Sequence, residues 1–256
     1  MANATSASSN ATSASANTTS APAPANSTSA SANATTTTAP PLAFNDTVTT
    51  LNETISNAEC RKKQLCAALP DGCDPSTTGS CYFLSAQSQS GLNYGFGLSG
   101  ISKGYIAAIL ATTASPGNNE STYICANNNG KVKFFSALLQ SDGTLVKQNL
   151  NVNSVKGSVN GDKIQCSFVA TVPASAARAT ATSLSMGVAN GTYNSANGDL
   201  GPAKSQVRTA PVDLSNPNAT VTYTNSTTAN TTASPSTTSN HAIALHQSLM
   251  QGKHKT

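Results

Sequence analysis

The chain has 256 residues, a formal net charge of +4 and only 9% charged residues. No run approaches the roughly 18 consecutive apolar residues that a membrane-spanning helix needs. No stripe of Lys and Arg with interleaved aromatic residues indicates nucleic-acid binding, and the scattered charges favour a solvated, slightly basic surface.

The two ends of the chain have the composition of disordered arms. Residues 1–44 carry no charged side chain, and residues 214–252 again contain no Asp, Glu, Lys or Arg. Such segments have too little large apolar surface to offset the entropy of ordering a chain. We therefore predict a disordered arm rich in Ser, Thr, Ala and Asn over 1–59, one folded domain over 60–213, and a disordered tail over 214–256.

Acceptor triplets for N-glycosylation occur throughout the chain. Asn3, Asn10 and Asn17 are seven residues apart, as are Asn26 and Asn33, and this repeat has no apolar position, which excludes a coiled coil. A chain rich in Asn, Ser and Thr also forms such triplets by chance, but the repeat favours duplicated glycan acceptors, and the composition suits O-glycans as well. The predicted acceptors are Asn3, Asn10, Asn17, Asn26, Asn33, Asn45, Asn52, Asn119, Asn190, Asn218, Asn225 and Asn230.

The cysteines predict a disulfide framework. They are Cys60, Cys66, Cys73, Cys81, Cys125 and Cys166. No Cys-x-x-Cys pair occurs, and all three histidines lie beyond residue 240, so zinc binding is not expected. Three disulfides imply an oxidising compartment, and we predict an extracellular or cell-surface protein. Fifteen pairings are possible, and the sequence does not choose among them.

The first strands of the domain follow the cysteine-rich segment. Cys81–Ser85 has the composition of a strand. Tyr94–Leu98 alternates apolar residues with glycines, which predicts a half-buried strand with a close backbone approach or a bulge. Gly104–Leu110 is a nearly continuous apolar run, which favours a central strand over a short helix.

Two hairpins and a last strand complete the predicted domain. Asn129-Gly130 and Asn160-Gly161 suit the positive backbone angles of tight hairpin turns. After the second turn, Lys163–Val169 alternates between inward apolar and mostly outward polar residues. With a further strand at Leu184–Val188, we count about nine short strands and no helix, which predicts an antiparallel β-sandwich.

The two termini give conflicting signals about export. No apolar segment follows Met1, so the signal-peptide pattern is missing and we expect an incomplete gene model or a processed fragment. Ala242–Leu245, after a spacer of small residues, resembles the start of a lipid-anchor signal that has been cut short. A frayed terminus explains these residues equally well.

Several stretches in a fixed order carry a family resemblance. They are Gly72-Cys73-Asp74-Pro75, Cys81-Tyr82-Phe83-Leu84-Ser85, Leu98-Ser99-Gly100, Gly104-Tyr105-Ile106-Ala107, Gly117–Cys125 and Ile164-Gln165-Cys166-Ser167-Phe168. Together they resemble the DOMON domain, named for part of dopamine β-monooxygenase, as it occurs in ferric-chelate reductase 1 and its fish relatives. The resemblance covers roughly Cys60–Asp213, about 60% of the chain.

The resemblance implies one of two roles. Some DOMON domains hold a b-type haem and pass electrons, whereas others are viewed as ligand- or sugar-binding modules. In ferric-chelate reductases the domain precedes a multi-helix membrane cytochrome. This chain contains no such segment, so we expect no transmembrane electron transfer from it alone.

The two roles can be distinguished at the positions where haem-binding DOMON domains carry their iron ligands. Haem DOMON domains use a Met and a His, but Pro116 stands at the Met position, and the loop Gly198–Ser205, where the His is expected, contains none. Proline has no donor atom for iron, and an exposed lysine is protonated near neutral pH. We therefore predict no cofactor. Haem b is the alternative, with Met186 and Lys204 as unusual ligands.

The domain also lacks the residues of an active site. A Ser–His–Asp arrangement needs a histidine, and the domain has none. The carboxylates of Asp142, Asp162 and Asp199 adjoin glycines in predicted turns, where Asp is favoured for its own backbone hydrogen bonds. No glycine-rich phosphate loop is present. The sequence therefore gives no catalytic residue and argues against an enzyme.

These observations favour a non-catalytic, ferric-chelate reductase 1-like glycoprotein. Its domain binds an unidentified ligand or protein partner, and its arms act as mucin-like spacers carrying N- and O-glycans. The alternative is a b-type haem electron-transfer module in ferric reduction. A third hypothesis assigns the function to the arms, as a hydrated coat anchored by the domain.

Overall fold

A computed structural model of the chain describes residues 39–173 and 183–224. Within these ranges there are strands but no helix, so none of the described segments can cross a membrane as a helix. The strands are β1 (Thr49–Thr50), β2 (Leu65–Leu69), β3 (Tyr82–Ser90), β4 (Asn93–Ile101), β5 (Tyr105–Ala111), β6 (Glu120–Asn128), β7 (Lys131–Leu139), β8 (Leu145–Lys147), β9 (Val152–Asn160), β10 (Lys163–Thr171), β11 (Ser183–Gly191), β12 (Tyr193–Asn194), β13 (Asp199–Leu200), β14 (Lys204–Arg208) and β15 (Val212–Asp213).

The strands form two large sheets, which confirms the predicted antiparallel β-sandwich. The six-stranded sheet has the order β1-β9-β10-β4-β3-β2, and the seven-stranded sheet has the order β14-β11-β5-β6-β7-β8 with β15 beside β11. Among the strand pairings within the described ranges, only that of β1 with β9 is parallel. The structure has more strands than the predicted nine, because strands of two or three residues are too short to show an alternating pattern.

The core between the sheets is built from aromatic side chains. Phe168 on β10 stacks near Phe96 on the neighbouring β4, with ring centroids 5.3 Å apart. From the opposite sheet, Tyr123 on β6 and Phe134 on β7 approach the same ring at 5.0 and 5.8 Å. Each of these four side chains is almost completely buried. Such offset aromatic contacts stabilise the packing of the two sheets beyond simple area burial.

Both predicted hairpins are present, but their turns differ. The loop between β6 and β7 consists of Asn129 and Gly130, both with positive φ, as the sequence predicts. In the hairpin of β9 and β10 the two loop residues are instead Gly161 and Asp162, and of these only Gly161 has a positive φ. Asn160 pairs with the partner strand, so glycine occupies the first position of the turn, as in a type II′ hairpin.

The outer face of β10 is more buried than its alternating pattern predicts. Its inward residues line the core as expected, but Gln165 on the outer face is only 5% exposed. The side-chain amide of Gln165 donates to the carbonyl oxygens of Ile55 and Pro75, at 3.3 and 3.2 Å. Two loops therefore cover this part of the sheet, which no local pattern in β10 reveals.

The folded domain begins earlier than predicted. Residues 39–59, which the composition assigns to the disordered arm, lie against the sandwich. The N–H of Asn45 donates to the carbonyl of Val152 at 2.8 Å, and β1 continues along the edge of β9. Phe44 and Val48 pack against the core, and these few apolar side chains compensate for an otherwise polar segment.

The domain also ends later than predicted. Leu214 is 1% exposed, and residues 219–224 pack beside it along the edge of the sandwich. The hydroxyl of Tyr223 accepts a hydrogen bond from the N–H of Ala68 on the edge strand β2, at 3.0 Å. The predicted disorder of residues 1–38 and 225–256 lies outside the described residues.

All six cysteines are paired, as the sequence predicts. Cys60–Cys66 and Cys73–Cys81 close short loops beside β2 and β3. Cys125–Cys166 joins β6 of one sheet to β10 of the other, and both its residues are fully buried. The structure thus selects one of the fifteen pairings, with one bridge through the core and two that fix the lead-in segment.

Candidate functional site

An open polar groove of about 430 Å³ lies on the outer face of the six-stranded sheet. The strand register brings four residues into one row across its floor, because each pairs directly with the next. The row is Ser85 on β3, Gly97 on β4, Ser167 on β10 and Lys156 on β9. The next row places Gln87 beside Gly95. The floor is therefore made of small residues, with hydroxyl, amide and ammonium groups along it.

Glycines give the groove its depth. A Cβ atom at position 97 would lie 2.8 Å from the Ser85 hydroxyl oxygen and 3.5 Å from the Ile55 side chain. At position 95 a Cβ atom would lie 3.0 Å from the amide nitrogen of Gln89. The alternation of Gly95 and Gly97 predicts a close backbone approach or a bulge on this strand. The nearest atoms at both positions belong instead to side chains, and the bulge lies in the neighbouring β3, between Ser88 and Ser90.

The segment 51–56 forms one wall of the groove. It enters from β1, where the Leu51 N–H donates to the Gly157 carbonyl at 3.1 Å. At its far end the Asn57 N–H donates to the Asp74 carboxylate at 3.3 Å. The Ser76 N–H donates to the same carboxylate, and these backbone donors lower the pKa of Asp74. The wall is therefore fixed at both ends.

The groove contains few charged groups, and they are of both signs. Lys156 stands on the floor, and Glu53 and Glu59 line the wall. Glu59 is already paired, since its carboxylate lies 3.2 Å from the ammonium of Lys63. The side chains of Gln87 and Lys156 make no hydrogen bond or ion pair with the part of the chain that the structure describes. They are thus free to contact a polar ligand.

A buried ion pair fixes the β5–β6 loop, which carries Pro116. Arg208 on β14 contacts both carboxylate oxygens of Glu120, at 2.9 and 2.5 Å. Their side chains are only 2% and 4% exposed. The same guanidinium donates to the carbonyl oxygens of Thr113, Ala114 and Ser115 at 2.8–3.3 Å. The loop that carries Pro116 is therefore held by three charge-assisted hydrogen bonds from a guanidinium that is itself fixed by Glu120.

The other predicted iron-ligand positions are not brought together. Met186 on β11 is 0% exposed and belongs to the core between the sheets. Lys204, at the start of β14, is exposed to solvent. Residues 192–203 pass over the outer face of the seven-stranded sheet, where the Gly201 carbonyl accepts a hydrogen bond from the hydroxyl of Tyr105. These positions do not form a pocket in which two ligands face each other.

The three aspartates considered for a catalytic pair lie in three separate segments. Asp142 accepts a hydrogen bond from the Thr144 N–H at 2.8 Å, and this bond lowers the pKa of Asp142. Asp162 is in the β9–β10 turn, whereas Asp199 is the first residue of β13. The predicted turn position is therefore found for Asp142 and Asp162 but not for Asp199.

The five sequons within the described ranges differ in accessibility. Asn45, Asn52, Asn119 and Asn218 are exposed. Asn190 is half-buried on β11, where its side-chain nitrogen donates to the Tyr82 hydroxyl at 3.2 Å. The remaining seven predicted acceptors, Asn3, Asn10, Asn17, Asn26, Asn33, Asn225 and Asn230, lie outside the described residues.

We expect Asn190 to remain unglycosylated while the four exposed sequons carry glycans. The glycan would have to be attached to the nitrogen that Asn190 uses to bind Tyr82, and its carbonyl accepts a further bond from Gln206 at 3.1 Å. Enzymatic glycan removal in ¹⁸O-water followed by peptide mass spectrometry measures occupancy at each site. Asn119 serves as the control, and equal occupancy at Asn190 and Asn119 would contradict this prediction.

Comparison with known proteins finds a distant similarity. The chain is 27% identical over 182 residues to a Danio rerio protein named "Putative ferric-chelate reductase 1". The matched region is 69% of this chain but 31% of that relative, so the chain spans about a third of its length. No family model and no solved structure matches the chain. The predicted resemblance to ferric-chelate reductase 1 is confirmed at this level, and the DOMON assignment stays a prediction.

Sequence reasoning missed the groove and the buried ion pair. Glu120 and Arg208 are 88 residues apart, and neither stands in a pattern that marks it as buried. The groove residues come from four strands, and only the register brings them into rows. The alternating glycines of β4 were the single local signal that could have indicated the groove.

Proposed function

We propose that the chain is a non-catalytic extracellular glycoprotein whose DOMON-like sandwich binds a ligand or protein partner. The outer-face groove carries this proposal, because it presents unpaired amide, hydroxyl and ammonium groups over a floor of small residues. The arms act as glycosylated, mucin-like spacers that hold the domain away from its point of attachment.

The available side-chain chemistry supports binding rather than catalysis. Every cysteine is in a disulfide, so the domain has no thiol nucleophile. All histidines are at positions 241, 246 and 254, so no imidazole lies within the described ranges. A groove with hydrogen-bonding groups but without these two catalytic groups is suited to recognition.

Three disulfides and four exposed sequons support an extracellular location. Disulfides persist in oxidising compartments and are rare in the cytosol. Asn45, Asn52 and Asn119 are not among the residues that line the groove, although Asn52 stands between Leu51 and Glu53 of its wall.

The groove is tested with two matched double variants of the secreted protein. We expect wild-type protein, fluorescently labelled, to bind members of an array of extracellular domains and glycans. The variant Gln87→Ala/Lys156→Ala should lose most of this binding, because it removes two free polar groups from the floor. The control Gln140→Ala/Lys131→Ala changes the same residue types outside the groove and should bind like wild type. Equal binding by both variants, or an array without any bound member, would overturn the proposal.

The name of the Danio rerio relative favours one alternative, a b-type haem module in ferric reduction. The residues do not fit two-sided iron ligation, because Met186 is packed in the core and Lys204 is exposed. We therefore expect no stoichiometric Soret band after incubation of the protein with haemin. One haem per chain, with a shift on dithionite reduction, would establish the alternative. Variants Met186→Leu and Lys204→Ala would then show whether these residues are the ligands.

A further inference from the structure

A group of lysines lies on the outer face of the seven-stranded sheet, on β7 and β8. Alternate residues of a strand lie on one face of a sheet, as do residues that pair directly across two strands. Lys131, Lys133 and Phe135 alternate along β7, and the residues between them face the core. Lys147 on β8 pairs with Ala137, which continues this alternation. The three lysines are exposed and therefore share one surface, which we call the basic surface.

One aromatic ring holds two of these lysines in place. The ammonium nitrogens of Lys133 and Lys147 lie 5.4 and 4.8 Å from the centre of the Phe135 ring. A cation over an aromatic face is attracted by the negative charge of that face. Lys147 also donates to the Gly198 carbonyl at 2.8 Å. Two like charges are therefore held near each other, although their repulsion favours separation.

Within the described ranges, no carboxylate forms an ion pair with the basic surface, since both ion pairs there involve other residues. Asp199, which follows Gly198 at the start of β13, instead accepts a hydrogen bond from the Asn197 amide at 2.5 Å. The consecutive run Arg61-Lys62-Lys63 differs, because its last residue pairs with Glu59 at 3.2 Å. The basic surface thus keeps its positive charge, which an anionic partner can compensate.

The arrangement of the lysines favours a polymeric anion over a small one. Each ammonium group is exposed, so its contact with a single anion is screened by salt and weak. A polymer with repeated anionic groups contacts all three lysines at once and releases the counterions condensed on it. Nucleic acids fit less well, because proteins that bind single strands stack the bases on aromatic side chains. Phe135 is half-buried, and two ammonium groups already lie over its ring, so it offers no such platform.

We propose that the basic surface binds a sulfated polysaccharide, whose sulfate groups contact Lys131, Lys133 and Lys147. Sulfate esters keep their negative charge at every physiological pH, and lysine is protonated over the same range. The choice of a polysaccharide rests on the extracellular location in the proposed function. The surface itself is independent of the groove, which lies on the other sheet and is lined by none of these lysines.

Fluorescence anisotropy with a labelled heparin oligosaccharide tests this proposal on the full chain at physiological salt. We expect wild-type protein to bind the oligosaccharide. The variant Lys131→Gln/Lys133→Gln/Lys147→Gln should bind about tenfold more weakly, since it loses three exposed charge contacts of modest strength.

The matched control removes an equal charge from the consecutive basic run that precedes β2. Arg61→Gln/Lys62→Gln/Lys63→Gln should bind the oligosaccharide within about twofold of wild type, because long-range effects of net charge are screened by salt. All six substituted side chains are exposed, so both variants should melt within a few degrees of wild type.

Four outcomes would overturn the proposal. Equal weakening in the two variants would mean that net charge alone attracts the polymer. The other three are no binding by wild type, equal affinity for DNA of the same charge, and displacement by millimolar sodium sulfate but not by sodium chloride of equal ionic strength, which would indicate a site for a single anion. Sulfated members of the extracellular array are assigned with these lysine variants, and only unsulfated members report on the groove. The two proposals can therefore fail separately.

Discussion

Replacing Glu120 with Gln is expected to destabilise the domain by about 3–5 kcal/mol, the cost of breaking a buried ion pair by removing one partner. The substitution keeps the size of the side chain but removes the charge that faces Arg208, whose side chain is 2% exposed. A guanidinium left without its counter-charge in the core is costly, because the interior cannot replace the water it lost. Urea unfolding followed by circular dichroism measures the change.

The exposed pair of Glu59 and Lys63 provides the matched control. Its side chains are 44% and 70% exposed, so Glu59→Gln should cost less than about 1 kcal/mol. The double variant Glu120→Leu/Arg208→Met removes both charges and should recover much of the lost stability, because well-packed apolar residues can replace a buried pair. A loss below about 1 kcal/mol in Glu120→Gln would contradict the role assigned to the pair.

The ion pair also gives the β5–β6 loop its conformation. The guanidinium binds three successive carbonyl groups of this loop, and the Gly117 N–H donates to Glu120 at 2.8 Å. The loop that carries Pro116 is therefore fixed by hydrogen bonds along its length from Thr113 to Gly117.

The sandwich could be predicted because its main strands carry their pattern locally. The alternation over Lys163–Val169 and the Asn129-Gly130 turn each depend on neighbours in the chain, and both are present in the structure. The pairing of Cys125 with Cys166 could not be predicted, since it depends on which strands face each other across the core. The row of groove residues could not be predicted either, because it depends on the register in which neighbouring strands pair.

The ends of the domain, which were predicted from amino-acid composition, also differ from those in the structure. Residues 39–59 and 214–224 are as polar as the arms, and only isolated side chains such as Phe44 and Tyr223 fix them to the sandwich. Backbone hydrogen bonds to the edge strands supply the remaining contacts. Because any polar segment can make such bonds, average composition does not distinguish a packed edge from a free arm.

Removal of the Cys125–Cys166 bridge should cost more stability than removal of either short-loop disulfide. The bridge closes 41 residues and crosses between the sheets, which corresponds to about 4 kcal/mol in the chain-entropy model. Cys60–Cys66 closes only 6 residues at the partly exposed edge, and the same model gives about 2 kcal/mol.

The comparison is made with Cys125→Ala/Cys166→Ala and Cys60→Ala/Cys66→Ala, measured by urea unfolding of proteins secreted under identical conditions. The first variant loses the disulfide that joins the two sheets through the core, and domains of this size have about 5–15 kcal/mol of total stability. We therefore expect it to be partly unfolded at 37 °C, whereas the second keeps its fold with a smaller shift of the midpoint. The opposite order of the two losses would mean that the lead-in segment, and not the bridge through the core, holds the sandwich together.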